Sequence, residues 1–481
     1  MTPHASSFLR SRRLALAILC AGMLMNILDG SIVTVALPAI QHDLGFSPAD
    51  LTWTINAYLI AFGGLLLLTG RLGDLLGRKR VFIAGLALFT AASLLCGIAT
   101  SQGMLVAARF VQGAGGAMSA AVSLGIIVTL FPEPRERGMA IGAFSFTGAA
   151  GASIGQVLGG ILTEAISWHW IFLINLPIGL AAAALAAIVL EPDHGLGLRA
   201  GADALGALLV TAGLMLGVYT IVQIGRDGTR TIGLAALTIV LLAAFVVRQA
   251  TAASPLLPLR MFRSRNVSGA NLIQILLISA GFGFQVLVTL YLQNVLGYGP
   301  ARTGLAMLPA AVMIAVVSLG LSARLNARFG ERTMLLTGLA LLTAALGLLT
   351  RLPADAAYAV HLLPTMLLAG GFGLAISALT VFGMSDAGER DAGVASGLFN
   401  TTQQVGGALG VAVLSTLVTA RAERLLATGH GTAAALTGGF RLGFGVATGL
   451  LTVAFLLTAT LLRQPKPAAA TTAPNTDALV P

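Results

Sequence analysis

The stretch LALAILCAGMLMNILDGSIVTVAL, residues 14–37, is apolar throughout its length except for one charge, Asp29. A run of about twenty apolar residues is what the hydrocarbon core of a bilayer requires of a helix. An ionised group at such depth costs at least ~2.5–3.5 kcal/mol, so it normally faces a cavity or a partner. The stretch therefore reads as a membrane-spanning helix with a buried carboxylate. A lone carboxylate in that setting is a candidate proton-binding group.

Thirteen further windows of the same kind follow, at 51–70, 81–99, 104–130, 139–163, 169–190, 203–224, 231–250, 267–292, 303–323, 333–350, 358–384, 393–419 and 440–462. The runs are continuous and lack the two-residue alternation of outer-membrane strands, so helices are expected rather than a barrel. Composition agrees, with 57% hydrophobic and only 10% charged residues and a mean hydropathy of +0.91. The expectation is an all-α polytopic membrane protein with 14 transmembrane helices. Arg10, Arg12 and Arg13 before the first run imitate a signal peptide, but the length of the run, Asp29 and the later spans mark an uncleaved first helix.

The net charge of +10 is a matter of topology. With both termini on the cytoplasmic side, 20 of the 28 Lys and Arg residues fall on that side and seven on the other, leaving Arg109 within a span. That bias is the positive-inside pattern, and it excludes a nucleic-acid reading. Arg226 and Arg230 are a local exception. Arginine outnumbers lysine 26 to 2, which points to a GC-rich bacterial source and to the cytoplasmic membrane. Cys20 and Cys96 lie inside spans at no metal or disulfide spacing, so neither metal nor cofactor is expected. The only lysines, Lys79 and Lys466, fit no phosphate-binding loop, which excludes an ATP-driven pump within this chain. No second catalytic group accompanies Asp29, so an enzyme is not expected either.

The chain repeats itself. GAFSFTGAAGASIG (142–155) is echoed by GLFNTTQQVGGALG (397–410), and RLGDLLGRK (71–79) by RLNARFGER (324–332), at offsets of 255 and 253. Two six-helix bundles, 14–190 and 267–462, are thus expected to be related by a pseudo-two-fold axis. A segment with two extra helices, 191–266, links them. A cytoplasmic N-terminus, 1–13, and a disordered tail, 463–481, complete the chain. Such repeats characterise secondary transporters, whose halves rock about a midplane site.

GRLGDLLGRKR (70–80) resembles the signature loop of the major facilitator superfamily. LDGSIVTVALP (28–38), WHWIFLINLPIG (168–179) and SGLFNTTQQVGGALG (396–410) resemble its fourteen-helix drug:proton antiporter branch. The resemblance implies a proton-coupled exporter of hydrophobic or amphipathic small molecules, such as drugs, antibiotics or secondary metabolites, working by alternating access. A dedicated metabolite exporter, or a uniporter or importer of the same fold, is the alternative. The partners implied are the substrate, protons and the lipid bilayer, with a monomeric chain.

The same resemblance assigns roles. Gly70, Gly73, Asp74, Gly77, Arg78 and Lys79 would form a gate loop that latches the cytoplasmic helix ends in the outward-facing state. Asp74 can pair with Arg78 or cap a helix start, and Ala327 stands in its place in the second echo. Arg109, with Gln112 and Gly113, matches a buried-arginine motif that the family uses in proton coupling. Depth supports a pairing independently: Asp29 lies ~12 Å and Arg109 ~8 Å from the outer ends of their spans. GASIGQVLGG (151–160) resembles the antiporter helix, with Gly151, Gly155 and Gly159 as a single smooth face, Gly160 closing the motif and Gln156 where proline usually stands. Gln156 either enters the cavity or ties helices together, and Glu164 closes that span. Polar candidates for the substrate cavity are Asn26, Asn56, Tyr58, Gln112, Gln285, Tyr291, Asn400 and Gln403. No carboxylate lies inside a span of the second half, which favours neutral or singly charged substrates.

Overall fold

Apolar segments of this length have no water to satisfy their peptide groups, so the hydrogen bonds close within each segment as helix. The structure, a computed structural model, describes residues 3–193, 195, 197, 203–223, 228–253, 255–384 and 392–462, and every regular element among them is helical. The first group comprises α1 (Pro3–Leu44), α2 (Trp53–Leu76), α3 (Arg78–Gly97), α4 (Gln102–Leu130), α5 (Pro134–Ala165), α6 (Trp170–Leu173) and α7 (Asn175–Val189). The central pair is α8 (Ala204–Val222) and α9 (Gly228–Thr251). The last group comprises α10 (Arg265–Asn294), α11 (Pro300–Val316), α12 (Ser322–Phe329), α13 (Glu331–Leu349), α14 (Leu363–Leu368), α15 (Gly370–Met384), α16 (Ala392–Ala427) and α17 (Thr432–Leu461).

Among the described residues, twelve helices are long and apolar enough to cross a membrane. The expected windows 139–163 and 303–323 lie outside that set. The first falls within α5, and the second is shared by α11, a π turn over Val317–Leu321 and α12. Window 169–190 is broken into α6 and α7, and 358–384 into a π turn, α14 and α15. The expected N-terminal segment is helical from Pro3 onward, and the expected disordered tail and Arg226 lie outside the described residues.

One expectation needs correction. The segment 70–80 is not a loop: Gly70, Gly73 and Asp74 belong to the last turns of α2, and Gly77 alone separates α2 from α3. Nothing in RLGDLL stops a helix, whereas Gly77 adopts φ +98°, which costs a glycine no steric clash. Gly330, with φ +80°, makes the same one-residue break between α12 and α13.

Two large buried apolar clusters form, one drawn mainly from α1–α7 and the other from α10–α17, and a small third one joins Leu257, Val267 and Leu398. Helix α8 packs on α2 and α16, and so touches one helix of each group, while α9 packs on α8. The groups also meet where α5 packs on α11 and α2 on α16.

Candidate functional site

Asp29 and Arg109 come together although eighty residues separate them. Both side chains are fully buried, and Arg109 Nη1 donates to Asp29 Oδ2. The second carboxylate oxygen accepts from Gln112 Nε2 at 2.8 Å and from Asn175 Nδ2 at 3.2 Å. Arg109 Nη1 also donates to Gln112 Oε1 at 2.7 Å, and its Nε donates to the Thr54 carbonyl at 2.8 Å. Gln112 Nε2 reaches Ser93 Oγ at 2.7 Å. The guanidinium lies 4.5 Å from the Tyr58 ring centroid and 5.7 Å from that of Phe172. A buried ion pair holds only with further hydrogen bonds around it, and these groups supply them at Asp29 Oδ1 and at Arg109 Nη1 and Nε. Arg109 is thereby committed to the interior and does not snorkel to the surface.

Every partner just named lies in α1–α7. The sequence expectation found Asp29, Arg109 and Gln112 but missed Asn175, Ser93 and the Thr54 carbonyl. Asn175 stands inside the quoted WHWIFLINLPIG stretch, whose resemblance to the family pattern is the one sequence mark it carries.

Of the two contacts expected for Asp74, the structure shows the pairing with Arg78 and not the helix cap. Arg78 Nη2 lies 3.3 Å from Asp74 Oδ1, and its Nη1 donates to the Gly125 carbonyl of α4 at 3.2 Å. Asp74 does not cap α3; Asp193 does, accepting from Arg78 N at 2.5 Å and Lys79 N at 3.1 Å. Lys79 Nζ donates to the carbonyls of Ala187 and Leu190 at the end of α7. At Gly73 a Cβ would run into Val122, which explains the glycine where α2 crosses α4. Gly70 has more room, with the Ala121 methyl 3.8 Å from a Cβ built there.

Helix α5 packs as the spacing of its glycines implies. Gly151, Gly155 and Gly159 lie against α1, where added Cβ atoms would meet Leu24 and Ile27, Ser31 and the Leu28 carbonyl, and the Ile32 carbonyl. Gly160 turns the other way, against Pro300 and Ala301 of α11, and Gly304 of α11 lies against the backbone of Gln156. Gln156 itself is buried at this seam. Glu164 Oε2 accepts from Ala301 N at 2.9 Å, so the same seam is closed at its end by a carboxylate.

The eight cavity candidates are not gathered at one place. Asn26 Nδ2 donates to Ser119 Oγ of α4 at 3.1 Å, and the Tyr58 hydroxyl donates to the Asn26 carbonyl at 3.4 Å. Gln112 belongs to the Asp29 network. Tyr291 is fixed by the Pro353 carbonyl at 2.5 Å and by an edge contact with Phe440, a structural duty within the second cluster. Gln285 Nε2 lies 3.5 Å from Thr34 Oγ1 across the two groups. Asn56 is wholly buried, while Asn400 and Gln403 are half-buried on α16. A cavity of about 230 Å³ does exist, lined by residues such as Leu37, Ile55, Leu290, Ser415 and Glu423, and none of the eight borders it.

Comparison with known proteins agrees with this architecture. Residues 19–411 match the family model of the Major Facilitator Superfamily. The chain is 40% identical over 456 residues to the puromycin resistance protein of Streptomyces alboniger, covering 93% of this chain and 90% of that protein. It is 39% identical over 446 residues to the cephamycin export protein of Amycolatopsis lactamdurans, covering 91% and 92%. Against the tetracenomycin C resistance and export protein of Streptomyces glaucescens the identity is 34% over 403 residues, covering 83% and 74%. Among solved structures, an inward-facing bacterial homolog of the human lysosomal transporter Spinster superposes with a TM-score of 0.65 at 18% identity, covering 95% of this chain and 99% of that one. This polytopic chain therefore belongs to the Major Facilitator Superfamily, in the drug-exporter branch.

Proposed function

We propose that this transporter exports a small hydrophobic or amphipathic molecule, of the antibiotic or secondary-metabolite class, in exchange for protons. The observation that carries the coupling is the fully buried Asp29–Arg109 pair, with every named partner inside α1–α7. Relatives named for puromycin, cephamycin and tetracenomycin C favour one dedicated compound over a broad drug range.

In this reading the fold has fourteen spans. Six-helix halves at 14–190 and 267–462 flank the inserted pair, within a bacterial cytoplasmic membrane, with both termini cytoplasmic and the chain monomeric. The parallel packing of α5 on α1 and of α16 on α10 supports the repeat. Ile27 and Ser31 face Gly151 and Gly155, as Ile275 and Ser279 face Gly406 and Gly410.

The route from proton to rocking runs through α1. One face of α1 holds Asp29, and another lies on the glycines of α5, whose Gly160 lies on α11 of the other half. Protonation of Asp29 removes the charge that Arg109, Gln112 and Asn175 hold, which releases α1 from α4 and α7. Glycine–backbone contacts have no slack, so a shift of α1 moves α5 and the seam with α11. The proton enters down a potential worth ~2.3 kcal/mol per 100 mV. Gly70, Gly73, Asp74, Gly77, Arg78 and Lys79 form the cytoplasmic gate, tying α2 and α3 to α4 and α7.

Inverted vesicles energised with a proton gradient are expected to accumulate substrate and to lose it when the gradient is collapsed. Asp29→Asn should retain substrate binding but not uphill accumulation. Undiminished accumulation in that variant would overturn the coupling role.

A further inference from the structure

The cavity of about 230 Å³ is separate from the Asp29 network. Its walls come from α1, α2, α10, α16 and α17, so it straddles the two helix groups. Leu37 in its wall lies eight residues beyond Asp29 on α1, about 12 Å along the axis and toward the helix end opposite the gate residues. None of the groups hydrogen-bonded to Asp29 or Arg109 borders it.

The lining is chemically lopsided. Leu37, Ile55, Leu287, Leu290, Val411 and Phe440 supply apolar wall, and Glu423 is the one charged residue among the lining groups. Glu423 shares its helix face with neither Arg421 nor Arg424, which stand two positions before it and one after, whereas same-face partners stand three or four apart. Glu423 is exposed and borders the pocket, so a negative charge stands beside its apolar wall, while Gln41, Asn294 and Ser415 offer neutral hydrogen-bonding groups. Drug-sized molecules are usually enclosed by about 300–1,000 Å³, so this volume suits a compact body or the apolar end of a larger one.

We infer that this cavity is a second ligand site, for a small amphipathic organic monocation whose apolar body fills the pocket and whose ammonium group faces Glu423. A dication is disfavoured, because a second charge would lie against apolar wall without a partner. The inference rests on the export reading only for the order of events: the pocket lies on the release side, and a substrate leaving the centre occupies it last. Binding itself requires no gradient.

The test uses the full-length protein in lipid nanodiscs, titrated calorimetrically with 4-phenylbutylammonium and with its neutral counterpart 4-phenylbutan-1-ol. The wild type is expected to prefer the amine by about threefold, the effect of one solvent-accessible charge pair. Glu423→Gln should remove that preference and leave the alcohol's affinity unchanged. Ser415→Phe, which fills the pocket, should abolish binding of both. A preference that survives Glu423→Gln, unchanged binding in a Ser415→Phe protein that elutes normally, or no binding of either probe by the wild type would each overturn the site. Failed efflux alongside these binding results would count against the export reading alone.

Discussion

Asn175, the first residue of α7, donates from Nδ2 to Asp29 Oδ1 of α1 at 3.2 Å, across 146 residues of sequence. The bond joins the last helix of the first group to the carboxylate proposed to bind the proton. Asn175→Ala removes one donor to that carboxylate while Arg109 and Gln112 remain. A hydrogen bond to a charged group contributes about 1.5–3 kcal/mol. Proton-driven export in vesicles should fall roughly tenfold or more, with membrane expression retained. Full export by Asn175→Ala would deny this residue a part in coupling.

Removing Arg109 has a harsher consequence. Arg109→Ala leaves a buried carboxylate facing two amides and no cation, a defect that costs about 3–5 kcal/mol. The single variant should express poorly or melt early in detergent. Asp29→Asn combined with Arg109→Gln removes both charges and should recover much of that thermal stability without recovering transport. A double variant no more stable than Arg109→Ala would show that the pair's packing, not its charge balance, holds α1 to α4.

The charged half of the site was legible in sequence because Asp29 and Arg109 are conspicuous in apolar spans, and helix rise alone matched their depths. Asn175 and Ser93 were not, since an amide or hydroxyl within a span is common and its partner depends on how α3 and α7 lean on α1. The gate segment misled in the opposite way. Its glycines and charges read as a loop, yet only Gly77 needs a positive φ, and the other residues keep helical geometry. Asp193, the carboxylate that caps α3, lies more than a hundred residues away and carries no local mark. The cavity candidates are scattered through the described residues because polarity within a span does not say which neighbour a side chain faces.

Asp193 therefore makes its own prediction. Its two oxygens accept the Arg78 and Lys79 amides, the orphan donors at the start of α3. Loss of such a cap costs about 0.5–2 kcal/mol. Asp193→Ala should lower the melting temperature modestly and increase proteolytic cutting between α7 and α8, whereas Asp193→Asn, which keeps an acceptor, should do less. Equal behaviour of the two variants would mean that the cap is not what fixes this end.

The smooth face of α5 can be tested against an internal control. A side chain at Gly159 would press on the Ile32 carbonyl, 2.7 Å from an added Cβ, while Gly142 on the same helix has open space around it. Gly159→Val should destabilise by about 1–3 kcal/mol, the usual cost of overpacking, and Gly142→Ala should change little. Comparable thermal stability of the two variants would remove the close α1–α5 approach from the argument.

Glu164 gives the last prediction, and it concerns the seam between the two helix groups. Its carboxylate accepts from Ala301 N in the first turn of α11, while Gly160 and Gly304 bring the two backbones together within the preceding turns. A negative charge at a helix N-terminus contributes about 0.3–1 kcal/mol, and the bond spans surfaces that must part if the halves rock. Glu164→Ala should thus favour the state in which this end is open, by about two- to fivefold in population, with little change in overall stability. A cysteine pair at Gly160 and Gly304 is a poor reporter because both positions are crowded. Single cysteines at Ala301 and Thr163, labelled from the far side by a membrane-impermeant maleimide, read the opening directly. Faster labelling in the Glu164→Ala background is expected. Equal rates with and without Glu164 would show that the glycine contacts alone hold the seam.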